Sequence, residues 1–251
     1  MTFRQIELAG GHTVGMSGIG DPVAEHLAVL FHPTPGASAF DPDPHATDRS
    51  GLHIIGFDRP GYGSSEAWDV TVDGWVDAVA RYLRAMERSA DLSSATRYGR
   101  ISAIGWREGA VYATALAARH PDLLHRLVLV SPLAPANAAR AEHPPIDAPA
   151  PGAAARPAGY DDRLRRMLDD ACRQGEVGVL ADRRAFAAVG SAAPRVDADA
   201  LIVYGSADDD ATVHDADWYA AGLTNATVDR VDGGSDLIAR HWERILRFLA
   251  E

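Results

Sequence analysis

Ala103-Ile104-Gly105-Trp106-Arg107-Glu108-Gly109 is the stretch that decides the fold. It closes a short apolar run, Ile101 to Ile104, and opens a helical pattern reaching from Arg107 to about Arg119. Pro121 stops that pattern, because its ring is incompatible with a helix interior. Glycines two places before and two places after a central residue let a strand turn sharply into a helix and lift the central side chain above the sheet. Gly105 and Gly109 supply that spacing, and the side chain they lift is Arg107. A guanidinium has no lone pair able to attack a carbonyl and stays protonated at any working pH.

Outward from this turn, further apolar runs recur at His26 to Phe31, His53 to Phe57, Leu127 to Val130 and Leu201 to Tyr204. Helical patterns lie between them, and that alternation predicts a parallel sheet in an α/β fold. Val72, Trp75, Val76, Val79, Leu83 and Met86 form one stripe at helical spacing, which predicts a helix packed on the sheet. Ile238, Trp242, Ile245, Leu246 and Leu249 form another that closes the chain. Gln5 to Leu8 and Thr13 to Met16 read as an opening antiparallel hairpin.

At 251 residues the chain fits one domain, 1–251, with 134–198 expected to be a linker and cap insertion within it. Pro132 to Pro157 holds seven of the fifteen prolines, a composition that neither continues a sheet nor builds a core. It leads to Asp162 to Val189, where Leu164, Met167, Leu168, Val179, Leu180 and Phe186 suggest two short helices. These form either a small cap over the site or surface helices with no roofing role.

Composition excludes several functions. The net charge of −11 opposes nucleic acid, which needs a basic face. All 24 basic residues are arginine, so Schiff-base chemistry, which needs a lysine amine, is excluded. Cys172 is the single cysteine, which rules out an internal disulfide and a cysteine-based zinc site and leaves a surface thiol as the expectation. The histidines are scattered without ligand spacing, so no metal is expected, and the glycines do not form a dinucleotide fingerprint, so no cofactor is expected. No apolar run is long enough for a membrane span, and Met1 to Gly20 lacks the pattern of a secretion signal. A cytoplasmic location without membrane contact is therefore expected. The oligomeric state stays open, a homodimer included.

Four segments in order resemble the α/β-hydrolase fold superfamily over nearly the whole length. Leu30-Phe31-His32-Pro33-Thr34-Pro35-Gly36 resembles its His-Gly-x-Pro-Gly loop, with Pro33 in place of glycine. Asp58-Arg59-Pro60-Gly61-Tyr62-Gly63-Ser64-Ser65 is similar to its Asp-x-Pro-Gly-x-Gly-x-Ser loop, and Gly205-Ser206-Ala207-Asp208 to the Gly-x-x-Asp that brings the triad acid. The turn at Arg107 resembles the Gly-x-Ser-x-Gly nucleophile elbow without its serine. Asp232-Gly233-Gly234-Ser235-Asp236-Leu237 aligns Asp236 with the family's catalytic histidine. The resemblance implies oxyanion donors at the backbone amides of Glu108 and Thr34. His32, which also fits a hydrogen-bonding role at a strand end, and Trp106 are further candidate ligand contacts. His241 is expected on an exposed helical face; His214, a further candidate ligand contact, follows the acid loop.

The implied relay of Ser, His and Asp is thus replaced by Arg107, Asp236 and Asp208, with two carboxylates expected to flank one guanidinium. This set is either a salt-bridge plug or a site in which Arg107 anchors a carboxylate or enolate while Asp208 or Asp236 acts as base. Three functions follow. The first is a non-hydrolytic enzyme of epimerase, isomerase, lyase or cyclase type acting on a small-molecule or short-peptide substrate in natural-product metabolism. It is similar to the atypical group typified by the bottromycin epimerase, which also lacks serine and histidine at these positions and inverts an aspartyl α-carbon. The second is a ligand-binding protein without turnover. The third is hydrolysis by water activated at Asp208 or Asp236.

Overall fold

The apolar runs become the middle of one eight-stranded sheet. The computed structural model describes residues 1–8, 10–93, 100–141, 156–208, 213–234 and 236–251. Its strands are β1 (Thr2–Leu8), β2 (His12–Gly20), β3 (His26–Phe31), β4 (Leu52–Phe57), β5 (Arg100–Trp106), β6 (Leu124–Val130), β7 (Val196–Gly205) and β8 (Leu223–Val231). They lie in the order β1-β2-β4-β3-β5-β6-β7-β8. β1 and β2 are the predicted hairpin, and every pairing from β4 to β8 is parallel. Central strands such as β3 and β5 are buried nearly end to end, as a sheet covered on both faces requires.

The helices divide between the two faces. They are α1 (Pro44–Arg49), α2 (Val72–Ser93), α3 (Gly109–Arg119), α4 (Pro135–Ala138), α5 (Tyr160–Ala171), α6 (Val177–Ala187), α7 (Val213–Gly222), α8 (Leu237–Arg240) and α9 (Trp242–Ala250). Trp75, Val76, Val79 and Leu83 of α2 join α3, Phe186 of α6 and Tyr219 of α7 in one core. Ala46 of α1, Leu164 and Met167 of α5 and the α8 and α9 residues fill the other. The chain leaves β3 toward one face and β5 toward the other, so the ends of these adjacent strands form a switch-point crevice, the usual ligand site of an open α/β sheet.

Three expectations are corrected. The helix predicted from Arg107 begins at Gly109, because Arg107 is left-handed, with φ 52°. The closing helix is two segments, α8 and α9, broken at His241, which is half-buried rather than exposed and whose pKa burial pushes down. β8 was not anticipated: it is an edge strand whose side chains are mostly solvated, so no apolar run announces it. The two helices expected after Asp162 are α5 and α6, and Cys172 between them is an exposed free thiol. Much of the proline-rich connection, 142–155, lies outside the described residues. Among the described residues no helix is long and apolar enough to cross a membrane.

Candidate active site

The elbow is built by contacts that tolerate no side chain. A Cβ on Gly105 would stand 2.5 Å from the Ala110 Cα, and one on Gly109 would collide with the Phe31 carbonyl oxygen. The two glycines therefore let α3 press against β5 and β3. The backbone N–H of Arg107 donates to the Val130 carbonyl at 2.9 Å, and its own carbonyl accepts from Ala110 at 3.0 Å. These bonds hold a non-glycine residue at positive φ, a conformation that costs of order 1–3 kcal/mol and recurs at functional sites.

The Arg107 side chain is only 5% exposed. Its Nη1 lies 3.8 Å from Asp208 Oδ1 and its Nε 3.9 Å from Glu108 Oε2. The guanidinium is flanked by two carboxylates, but one of them differs from the expected pair. Asp236 is instead clasped by two other arginines, its Oδ2 accepting from Arg240 Nε at 2.9 Å and Arg156 Nε at 3.1 Å. The reason is local: Arg240 sits one helical turn beyond Asp236, and Arg156 approaches from the segment leading into α5.

Glu108 has a second contact that bears on the oxyanion site. Its Oε2 accepts the backbone N–H of Thr34 at 3.0 Å, one of the two amides expected to hold an oxyanion. The chain's own carboxylate thus occupies that donor. The other oxygen, Oε1, is buried without a hydrogen-bond partner. Trp106 points into the core, stacked on Phe40 with centroids 5.2 Å apart, and its buried indole N–H is also unpartnered, as are Ser131 Oγ and the Tyr160 hydroxyl.

His32 is committed to the scaffold. Nδ1 donates to the Pro33 carbonyl at 2.8 Å and Nε2 accepts from the Arg59 amide at 3.3 Å, an assignment that requires the neutral ring. Burial, reinforced by the Arg59 charge, pushes its pKa well down. His214 is exposed at the start of α7.

Sequence reasoning missed the tightest polar cluster beside the site. Arg59, from the loop after β4, meets Asp182 of α6 at 2.6 Å, with both side chains at most 3% exposed. Asp182 also accepts the hydroxyls of Thr34, Tyr62 and Tyr112 at 2.5, 2.8 and 2.8 Å. The remaining Arg59 donors reach the carbonyls of His32 and Pro33. Burial alone would push the Asp182 carboxyl up, but the guanidinium and the donated hydrogen bonds leave it below the ordinary aspartate value. Burial, then the Asp182 charge, push both tyrosines well up. Asp182 lies in Ala-Asp-Arg-Arg, which reads as a solvated helix face, so no local signal marked it. The cluster ties α6 to the loops that carry Thr34 and His32.

An eight-stranded, mostly parallel sheet with this elbow and these strand-end loops defines an α/β hydrolase fold. A family model of that fold matches residues 29–170, and the chain belongs to the family. Among curated proteins none matches the chain. Solved structures share the architecture at low identity. The enol-lactonase from Burkholderia xenovorans is 20% identical with a TM-score of 0.70, each chain 98% covered. An esterase from Exiguobacterium antarcticum is 14% identical with a TM-score of 0.71, covering 99% of this chain and 98% of its own. An epoxide hydrolase from Vigna radiata is 13% identical with a TM-score of 0.67, covering 99% and 96%. At these identities the likeness concerns the fold.

Proposed function

We propose that this chain is a non-hydrolytic α/β-hydrolase-fold enzyme that moves a proton at a carbon beside a carboxylate, an epimerase or isomerase in type. Its substrate is a carboxylate-bearing peptide or natural-product intermediate held at Arg107. The observation that carries the reading is the buried guanidinium at the elbow, where acyl transfer needs a nucleophile. Asp208, 3.8 Å away, is the proposed proton-handling group, and Asp236 acts through its two arginines. Segment 134–198 is the cap in this reading, and the enzyme works in the cytoplasm without a cofactor.

A second reading, a ligand-binding protein without turnover, is favoured by one observation. Glu108 already holds the Thr34 amide that would stabilise a developing oxyanion.

A panel of esters, amides, lactones and epoxides separates these readings from hydrolysis. The wild-type protein is expected to be silent on all of them while an active serine esterase responds. Ester turnover by the wild type that disappears in Asp208→Ala would replace both readings with water-activated hydrolysis.

A further inference from the structure

Glu108 follows Arg107 at the elbow and stands, wholly buried, at the entrance of α3. An acidic side chain in that position is ordinarily drawn to the free N–H groups and positive end of its own helix. This one makes no capping hydrogen bond to α3 and reaches instead to the amide of a residue 74 positions earlier, Thr34.

Its two oxygens are unequally held. Oε2 lies 3.0 Å from the Thr34 nitrogen and 3.9 Å from Arg107 Nε, so one carboxylate oxygen sits where the elbow guanidinium and the amide expected to hold an oxyanion converge. Oε1 makes no hydrogen bond. Asp182, also buried, shows how this protein fastens a carboxylate for structure. Its Oδ1 accepts from Arg59 Nε and the Tyr112 hydroxyl, and its Oδ2 from Arg59 Nη2 and the hydroxyls of Thr34 and Tyr62. A buried carboxylate held by one neutral N–H, with its guanidinium beyond hydrogen-bond distance, is costly. Glutamine would make the same bond to Thr34 without burying a charge. What the carboxylate adds over an amide is its charge toward Arg107.

We infer that the Glu108 carboxylate is an internal stand-in for the substrate's own carboxylate, filling the place between Arg107 and the Thr34 amide until the substrate displaces it. This rests on the reading of Arg107 as the carboxylate anchor. The contact is then autoinhibitory: a lone weak anion competes against a tethered carboxylate already in place, whereas a substrate with further contacts to the site displaces it. Displacement leaves the Thr34 amide to the substrate's carboxylate oxygen, where it stabilises the enolate formed as the neighbouring proton passes to Asp208.

Glu108→Ala removes a CH2–COO⁻ fragment, the atoms of acetate, so acetate is the probe, titrated into the intact protein by calorimetry and thermal shift at constant ionic strength. Acetate is expected to bind Glu108→Ala at least about 10-fold more tightly than the wild type and to raise its Tm, while acetamide, the neutral isostere, does neither. Adding Arg107→Met should remove the response. Glu108→Gln, which keeps the shape and the bond to Thr34, carries the test if the alanine variant does not fold: acetate should bind it, too, more tightly than the wild type. Acetate has no reaction to undergo here, so its binding is read separately from whether proton exchange is catalysed. Equal acetate affinity in the wild type and the variants, an equal response to acetamide, or an acetate response that persists with Arg107→Met would each overturn the inference.

Discussion

Replacing Asp182 by alanine should destabilise this protein more than any other single change beside the site. The side chain is 3% exposed and accepts from Arg59, Thr34, Tyr62 and Tyr112, so its removal strands a buried guanidinium and three hydroxyls together. Breaking a buried pair by deleting one partner costs about 3–5 kcal/mol, and burial this deep needs no discount for solvent screening. For a chain of this size each kcal/mol moves Tm by about 2–4 °C, so Asp182→Ala should melt roughly 6–20 °C lower. Urea denaturation followed by circular dichroism measures the first quantity, and hydrogen exchange across α6 and the loop holding Thr34 shows where protection is lost. Arg59→Met should cost nearly as much, whereas Arg59→Met with Asp182→Leu should recover more than half of either loss, because the double variant leaves no charge stranded. A cost below about 1 kcal/mol for Asp182→Ala, or single effects that simply add in the double variant, would refute the argument that this pair fastens α6 to the sheet.

Acidification should destabilise the protein through His32, whose native pKa is held well below the ordinary value by burial. The unfolded chain takes up that proton first, so stability is complete above about pH 6.5 and falls below it by up to about 1.4 kcal/mol per pH unit per proton. His32→Gln should reduce that slope by one proton in urea titrations, leaving the share of His53, His125 and His241, which are shifted in the same direction. Gly109→Ala should cost about 1–3 kcal/mol or yield insoluble protein, since its methyl group meets the Phe31 carbonyl; a fully stable variant would contradict the packing described at the elbow. Arg107→Ser with Asp236→His restores the family's residue types but should gain no esterase activity while Glu108 holds the Thr34 amide. Adding Glu108→Leu should be needed for any turnover, and activity in the double variant would show that the oxyanion site was open.

The parts of this fold written in apolar periodicity were readable from sequence. The buried strands β3 to β7 and the α2 stripe are continuous or regularly spaced, because both sheet faces are covered and each strand end to be buried must be apolar. β8 escaped notice because an edge strand has solvated side chains and its sequence, Leu-Thr-Asn-Ala-Thr-Val-Asp-Arg-Val, lacks an apolar run. The elbow was legible because Gly105 and Gly109 are dictated by close backbone approach, which only missing side chains permit. Partner choice among charges was not legible. Asp236 and Glu108 are both acidic and near the strand ends, and only tertiary geometry decides that Glu108 faces Arg107 while Arg156 and Arg240 claim Asp236. The Arg59 and Asp182 pair joins residues 123 apart in sequence, a contact that no local pattern encodes.

Proton transfer at a site without a nucleophile is read by solvent exchange. Aspartyl peptides, N-acyl aspartates and 2-oxo acids are incubated with the protein in heavy water, and the loss of the proton beside the carboxylate is followed by NMR. Enzyme-dependent exchange is expected with at least one of these carboxylates, lost in both Arg107→Ala and Asp208→Ala while the fold stays intact. Carboxylates that bind without any exchange, or exchange that survives Arg107→Ala unchanged, would contradict it.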